Sequence, residues 1–200
     1  HAWSFFRRCK TCIHADMERP NEKTSHPDTT IKYEATNGTH LTIDGTGAFS
    51  ATAHGDVKSA FIFTDVASHI RSVRLATDKT CATLLNEVKA WQAQSGTKLR
   101  SIRTDNEFNV EPLSSWCHDN GIKLSSCAPH VHQQNPVAES SVRMVKRTCR
   151  RNATHAKTGY KLHGLAMKYA SLQLNKSATS SDPTGKMRSP MTMWPKAPWS

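Results

Sequence analysis

Long apolar stretches are missing from this chain of 200 residues. No run approaches the roughly 18–20 residues that a membrane-spanning helix requires, so no membrane partner is expected. Acidic residues are scarce: 16 stand against 27 lysines and arginines, for a formal net charge of +11. Such an imbalance argues against a basic ligand and for a polyanion, nucleic acid foremost. Cysteine is too sparse for a disulfide scaffold. Cys81, Cys117, Cys127 and Cys149 fall in or beside segments that read as regular structure, which suits buried free thiols in a reducing compartment. The start, His1 to Arg8, lacks both a methionine and a long apolar stretch. It reads as a segment of something longer, with no secretory leader.

What is present begins with a Cys9-Lys10-Thr11-Cys12 knuckle and a polar stretch to Thr30 that contains Pro20 and Pro27. Residues 1–38 therefore read as the end of a small module plus a linker. From His40 the pattern changes. Leu41-Thr42-Ile43 predicts a short strand and Ala60 to Thr64 a buried one, since it is almost continuously apolar. Ile70 to Leu75 gives a third strand, and His54-Gly55-Asp56 supplies a hairpin turn between the first two. A helix follows, with Asp78 as its cap, Leu84, Leu85, Val88 and Trp91 at helical spacing, and Gly96 at its end. Leu99–Ile102 predicts a strand, residues 110–120 a short helix, and Ile122–Ser125 the last strand. Asn135-Pro136 opens a long helix, because proline favours a first helical position. Ala138, Val142, Val145 and Cys149 form its apolar stripe. A further helix runs from Leu162 to Asn175, and the end of the chain reads as extended.

Three strands, then alternating helix and strand, predict a mixed five-stranded α/β sheet flanked by helices. That order is ribonuclease H-like. The expected units are the zinc-knuckle remnant at 1–38, a core at 39–155, and a C-terminal helix with its tail at 156–200.

Three carboxylates stand out against the basic background. Asp44 follows Leu41-Thr42-Ile43, Asp105 follows Ser101-Ile102-Arg103-Thr104, and Glu139 lies in the first turn of the basic helix. Taken singly, each has a plain structural reading: a turn residue, a helix cap, and a glutamate favoured by the helix dipole. Taken together, carboxylates at two strand ends and on one helix can converge on divalent cations for phosphoryl transfer. After Glu139, Arg143, Lys146 and Arg150 follow at spacings of four, three and four, and Arg147 lies among them. These four make a DNA-binding face, with phosphate contacts that give affinity and salt dependence rather than sequence reading. The other readings of this run are a solvated face and a nuclear-import signal.

In this setting the chain resembles the integrase segment of a Ty1/copia-type retrotransposon polyprotein. The matching stretches are Cys9-Lys10-Thr11-Cys12, Leu41 to Asp44, Phe63 to Ser68, Thr104-Asp105-Asn106, Ala128-Pro129-His130 with Gln133-Gln134-Asn135, Val137-Ala138-Glu139, and Ser189 to Trp194. The resemblance implies that Asp44, Asp105 and Glu139 are catalytic ligands of Mg²⁺ or Mn²⁺, with Asp44 preferred over Asp65 as the first of them. It implies processing of element DNA ends and their transfer into target DNA. A homo-oligomer and action in the nucleus, after a cytoplasmic particle stage, are implied with it. Cys9 and Cys12 would be two ligands of a Zn²⁺ site whose histidines lie upstream.

The sequence departs from the family at two places. Asn106 runs directly into Glu107-Phe108, where the family has a glycine and one further residue between. Asn135 is followed by Pro136 where the family has glycine. A glycine lets the backbone turn tightly beside a metal site, so its loss predicts a displaced Asp105. The rival expectations are a degraded integrase that only binds DNA, a nuclease of the same fold acting on RNA–DNA hybrids, and a zinc-knuckle interaction module on a structural scaffold.

Overall fold

The computed structural model describes residues 36–49, 53–126, 136–177, 180–181 and 187–194. Cys9, Cys12, Cys127, His130, His132 and Asn135 lie outside these residues, and so does the zinc-knuckle expectation.

Five strands make one sheet: β1 His40–Gly45, β2 Ser59–Asp65, β3 Arg71–Ala76, β4 Ser101–Thr104 and β5 Lys123–Ser126. Their order is β3-β2-β1-β4-β5. The first three are antiparallel neighbours, and β4 is parallel to both β1 and β5. Every residue of β2 is buried, as its unbroken apolar run requires for a strand covered on both faces. The turn expected at His54 to Asp56 is present. Gly55 and Asp56 both take positive φ there, 79° and 59°, which suits the twist of a tight hairpin.

The helices are α1 Cys81–Ser95, α2 Leu113–Asp119, α3 Pro136–Ala156, α4 His163–Lys176 and the short α5 Pro190–Met193. They divide between the two faces of the sheet. Leu41, Ile43, Phe61 and Phe63 point to one side and join Leu84, Val88 and Trp91 of α1 in one core. Ala60, Ile62 and Val73 point to the other and join Val142, Val145 and Cys149 of α3 with Met167 and Ala170 of α4. The period-two alternation of each strand thus feeds two cores.

Two expectations are corrected. The cap of α1 is Thr80, whose side chain accepts from Thr83 N. Asp78 lies further out, and its Oδ1 accepts from Thr80 N, Thr80 Oγ1 and Thr83 Oγ1, so it braces the cap rather than forming it. The C-terminal end is not extended throughout. Ser189 caps α5 with Pro190 in its first turn, and Trp194 is buried edge-on against Trp91, with ring centroids 6.2 Å apart. The carbonyl of Met193 accepts from Asn37 Nδ2 at 2.8 Å.

β3 is an edge strand, and α4 covers part of that edge through one side chain. Asn175 Oδ1 accepts from Arg71 N at 2.9 Å and its Nδ2 donates to Arg71 O at 2.8 Å. The side-chain amide pairs as a neighbouring strand would. Cys81, Cys117 and Cys149 are free thiols; Cys117 and Cys149 are buried as expected, whereas Cys81 is only half-buried. Burial pushes Cys117 and Cys149 up to about 11, so both are inert packing groups. No helix among the described residues is long and apolar enough to cross a membrane.

Candidate active site

The register of the parallel pair β1/β4 positions two of the three carboxylates. His40, Leu41 and Thr42 lie opposite Ser101, Ile102 and Arg103. Carried forward two residues, that register sets Asp44 opposite Asp105, on strands about 4.8 Å apart. Leu41 and Ile43 face α1. Asp44 therefore faces the other way, and its partner across β2 is Ile62, which belongs to the α3 side. Helix α3 packs on that face of β1 and β2, and its first turn carries Glu139.

Asp44 senses both of the other groups. The Asp44 carboxyl is raised from 3.8 to about 6, by burial first and then by the charge of Asp105, with Glu139 adding to it. Lys79 and the backbone N–H of Gly45 pull the other way. Asp44, Asp105 and Glu139 are all half-buried, so the crowded charge borders solvent. Like-charged carboxylates in one place resist ionisation together, and a hard divalent cation with oxygen ligands relieves that conflict. The donor set fits such an ion. Even so, no group of three His, Cys, Asp or Glu side chains among the described residues is arranged to hold a metal. The carboxylates share a field without forming a finished coordination sphere.

Asp65 differs in kind. It is 1% exposed. Its Oδ1 accepts from Gly38 N, and its Oδ2 accepts from Ser68 N and Ser68 Oγ, at 2.6–2.8 Å. Burial raises its carboxyl, against those hydrogen bonds. These contacts tie down the backbone of Gly38 and Ser68 and the Ser68 hydroxyl, and the buried group has no access to a ligand.

The shortened loop after Asp105 is well fastened. Asn106–Phe108 is one 3₁₀ turn, with Phe108 N donating to Asp105 O at 3.1 Å. Asp105 takes φ −65° and ψ 153°, extended backbone open to any residue. Phe108 is buried edge-on against Phe61 at 5.6 Å. Ser126 Oγ bonds to Asn106 Oδ1 and receives Asn109 Nδ2. The loop thus closes without a glycine, through the 3₁₀ turn and the Ser126 bonds.

Two residues at this edge carried no sequence signal. Lys79 pairs with Glu107, two residues beyond Asp105. Its stem also passes over Gly45, where a Cβ would collide with it. The basic residues lie where the helix period puts them: Arg143, Lys146, Arg147 and Arg150 are all exposed on α3, running away from Glu139 over about 16 Å.

No family model and no curated protein matches the chain. Solved structures do. The catalytic core domain of HTLV-2 integrase, described as a trimeric form in complex with magnesium, aligns with TM-score 0.57 and 17% identity, over 80% of this chain and 95% of that one. The catalytic core of BIV integrase aligns with TM-score 0.55 and 15% identity, over 78% and 93%. A chain of the simian T-cell lymphotropic virus intasome, solved with the PP2A regulatory subunit B56 gamma, aligns with TM-score 0.68 and 13% identity, over 96% of this chain and 65% of that one. At such identities the likeness is one of fold: the mixed five-stranded sheet of the retroviral integrase catalytic cores, which is ribonuclease H-like.

Proposed function

We propose that this chain is the catalytic core of a retroelement integrase of the Ty1/copia type, transferring DNA 3′ ends into target phosphodiesters. One observation carries the reading. Asp105 at the end of β4 and Glu139 in the first turn of α3 converge on Asp44 of β1 closely enough to raise its cost of ionisation, at one edge of an integrase-core fold. The magnesium in the HTLV-2 complex supports the same chemistry here.

Asp44, Asp105 and Glu139 would hold Mg²⁺ or Mn²⁺, which when bound activates the attacking oxygen and stabilises the leaving one. The protein's own share is placement. β1 and β4 present two carboxylates side by side, and α3 brings the third down onto their face. Arg143, Lys146, Arg147 and Arg150 hold phosphates of the DNA along the same helix, so that the bond to be attacked lies at the Glu139 end. Burial of Asp44 thins the water around the edge, which strengthens each charge interaction there. Attack by a 3′-hydroxyl needs no covalent protein intermediate. Assembly as a homo-oligomer, action in the nucleus and a Zn²⁺ site at Cys9 and Cys12 belong to the same proposal.

A second reading, a DNA-binding core without catalysis, is favoured by the lack of an arranged metal group among the described side chains. A disintegration assay with Mn²⁺ on branched DNA separates the two. We expect strand joining by the native chain and none by Asp105→Asn. A native chain that binds the DNA but joins nothing, alone or with two glycines inserted after Asn106, supports the second reading. Cleavage of an RNA–DNA hybrid without joining points instead to a nuclease.

A further inference from the structure

Beneath the start of α3 lies a buried cation that joins three elements. Arg71, the first residue of β3, is 6% exposed. It stands opposite Thr64 of β2 and two residues before Val73, which packs on the α3 side of the sheet. Asp44 belongs to the same face, in the neighbouring row of Asp44, Ile62 and Val73. From there the Arg71 guanidinium reaches two residues of α3. Its Nε donates to Ser141 Oγ at 3.3 Å and its Nη2 to Met144 Sδ at 3.5 Å. Ser141 is fully buried and follows Glu139 by two residues on the same helix. The backbone of Arg71 is itself held by the Asn175 side chain of α4. One residue thus ties β3 and α4 to the part of α3 that carries Glu139.

As a source of stability the contact is a poor one. Taking a guanidinium out of water is costly unless a carboxylate and further hydrogen bonds offset the loss. No acidic side chain is among the described partners of Arg71, one of its two acceptors is a weak thioether sulfur, and its Nη1 is buried without a partner among the described residues. An unbranched apolar side chain would stabilise this position more. What it could not supply is direction. Further along α3, Val142, Val145 and Cys149 rest in an apolar core, where attraction is non-directional and sets the rotation of the helix loosely. Two donors of one rigid fork, aimed at Ser141 and Met144, set it firmly.

We propose that Arg71 is a positioning residue for Glu139: its fork on Ser141 and Met144 fixes the rotation of the first turns of α3, and with it the approach of the Glu139 carboxylate to Asp44 and Asp105. Arg71 acts through Glu139 and touches neither cation nor DNA in this role. The inference rests on the reading of those three carboxylates as cation ligands.

The test is a calorimetric Mn²⁺ titration of the full chain, beside urea unfolding without metal. Arg71→Met keeps the bulk and removes the buried charge. It should unfold at an equal or higher urea concentration, yet bind Mn²⁺ about tenfold more weakly, as loss of a ligand-orienting partner does. Ser141→Ala removes one acceptor and should weaken binding roughly threefold. Arg71→Met combined with Glu139→Gln should bind no more weakly than Glu139→Gln alone, because the arginine works through that carboxylate. Native affinity in Arg71→Met, with or without a lower urea midpoint, marks a structural strut and overturns the inference. Losses that add in the double variant overturn it too. Should Arg71→Met not fold, Ser141→Ala decides, and native affinity there overturns the inference. A native chain that binds no Mn²⁺ overturns this inference and the proposed function together.

Discussion

Two aspartates twenty-one positions apart face opposite fates when neutralised. Asp44 has its folded value raised to about 6, above its value in an unfolded chain. The folded state therefore binds its proton more tightly, and ionisation works against the fold. That penalty is absent below pH 4, grows as the pH climbs to 6, and is complete above. Asp44→Asn removes it. We expect the variant to melt roughly 2–4 °C above the native chain at pH 7.5, with the gap closing as the pH falls from 6 to 4, in thermal scans without metal. Mn²⁺ should raise the native melting point and leave the variant's unchanged, while strand joining disappears. Asp65→Asn does the reverse. Its amide cannot accept all three hydrogen bonds from Gly38 and Ser68, so denaturant titration should show a loss of about 1–3 kcal/mol. Strand joining per folded molecule should survive. The sequence made Asp44 legible through its strand context. It offered nothing for Lys79, because residues 45, 79 and 107 meet only through the tertiary fold, and no local periodicity encodes such a meeting.

Among the elements, strands and long helices were legible because each carries its own burial pattern. β2 has the unbroken apolar run Ala60 to Phe63, and Leu84, Leu85, Val88 and Trp91 repeat at helical spacing. What was misread depends on contacts from elsewhere. Asp78 has the chemistry of a cap, yet Thr80 takes the role because three hydrogen bonds turn Asp78 outward as its brace. Breakers near the C-terminus suggested extension, but Trp194 finds Trp91 and anchors α5. The same dependence makes the β3 edge testable. Asn175 is 2% exposed and satisfies both backbone groups of Arg71. Asn175→Ala leaves those buried groups without their described partner and should cost about 2–4 kcal/mol in urea titration. Hydrogen exchange at Arg71 should quicken, while protection in β1 falls only by the global loss.

For the whole molecule, charge is distributed unevenly. No acidic residue occurs from Ser140 to Ser181, a stretch that holds α4 and all of α3 beyond Glu139. The α3–α4 pair is thus a positive body beside a carboxylate edge. If α3 contacts phosphates, the logarithm of the DNA affinity should fall linearly with the logarithm of salt. Arg143→Gln with Lys146→Gln should reduce the slope by about 2, measured by fluorescence anisotropy over a KCl series. An unchanged slope would move the DNA path off this helix. The bond from Asn37 Nδ2 to Met193 O has a consequence for assembly. It joins the segment just before β1 to α5 at the opposite end of β1 from Asp44, and His40, where β1 begins, is roughly 13 Å from Asp44 along the strand. The first described residues and the short helix α5 are therefore close neighbours on the side remote from the carboxylates. Fluorophores placed on Thr36 and Met191 should transfer energy efficiently, and labels at both positions should leave the reactive edge unobstructed.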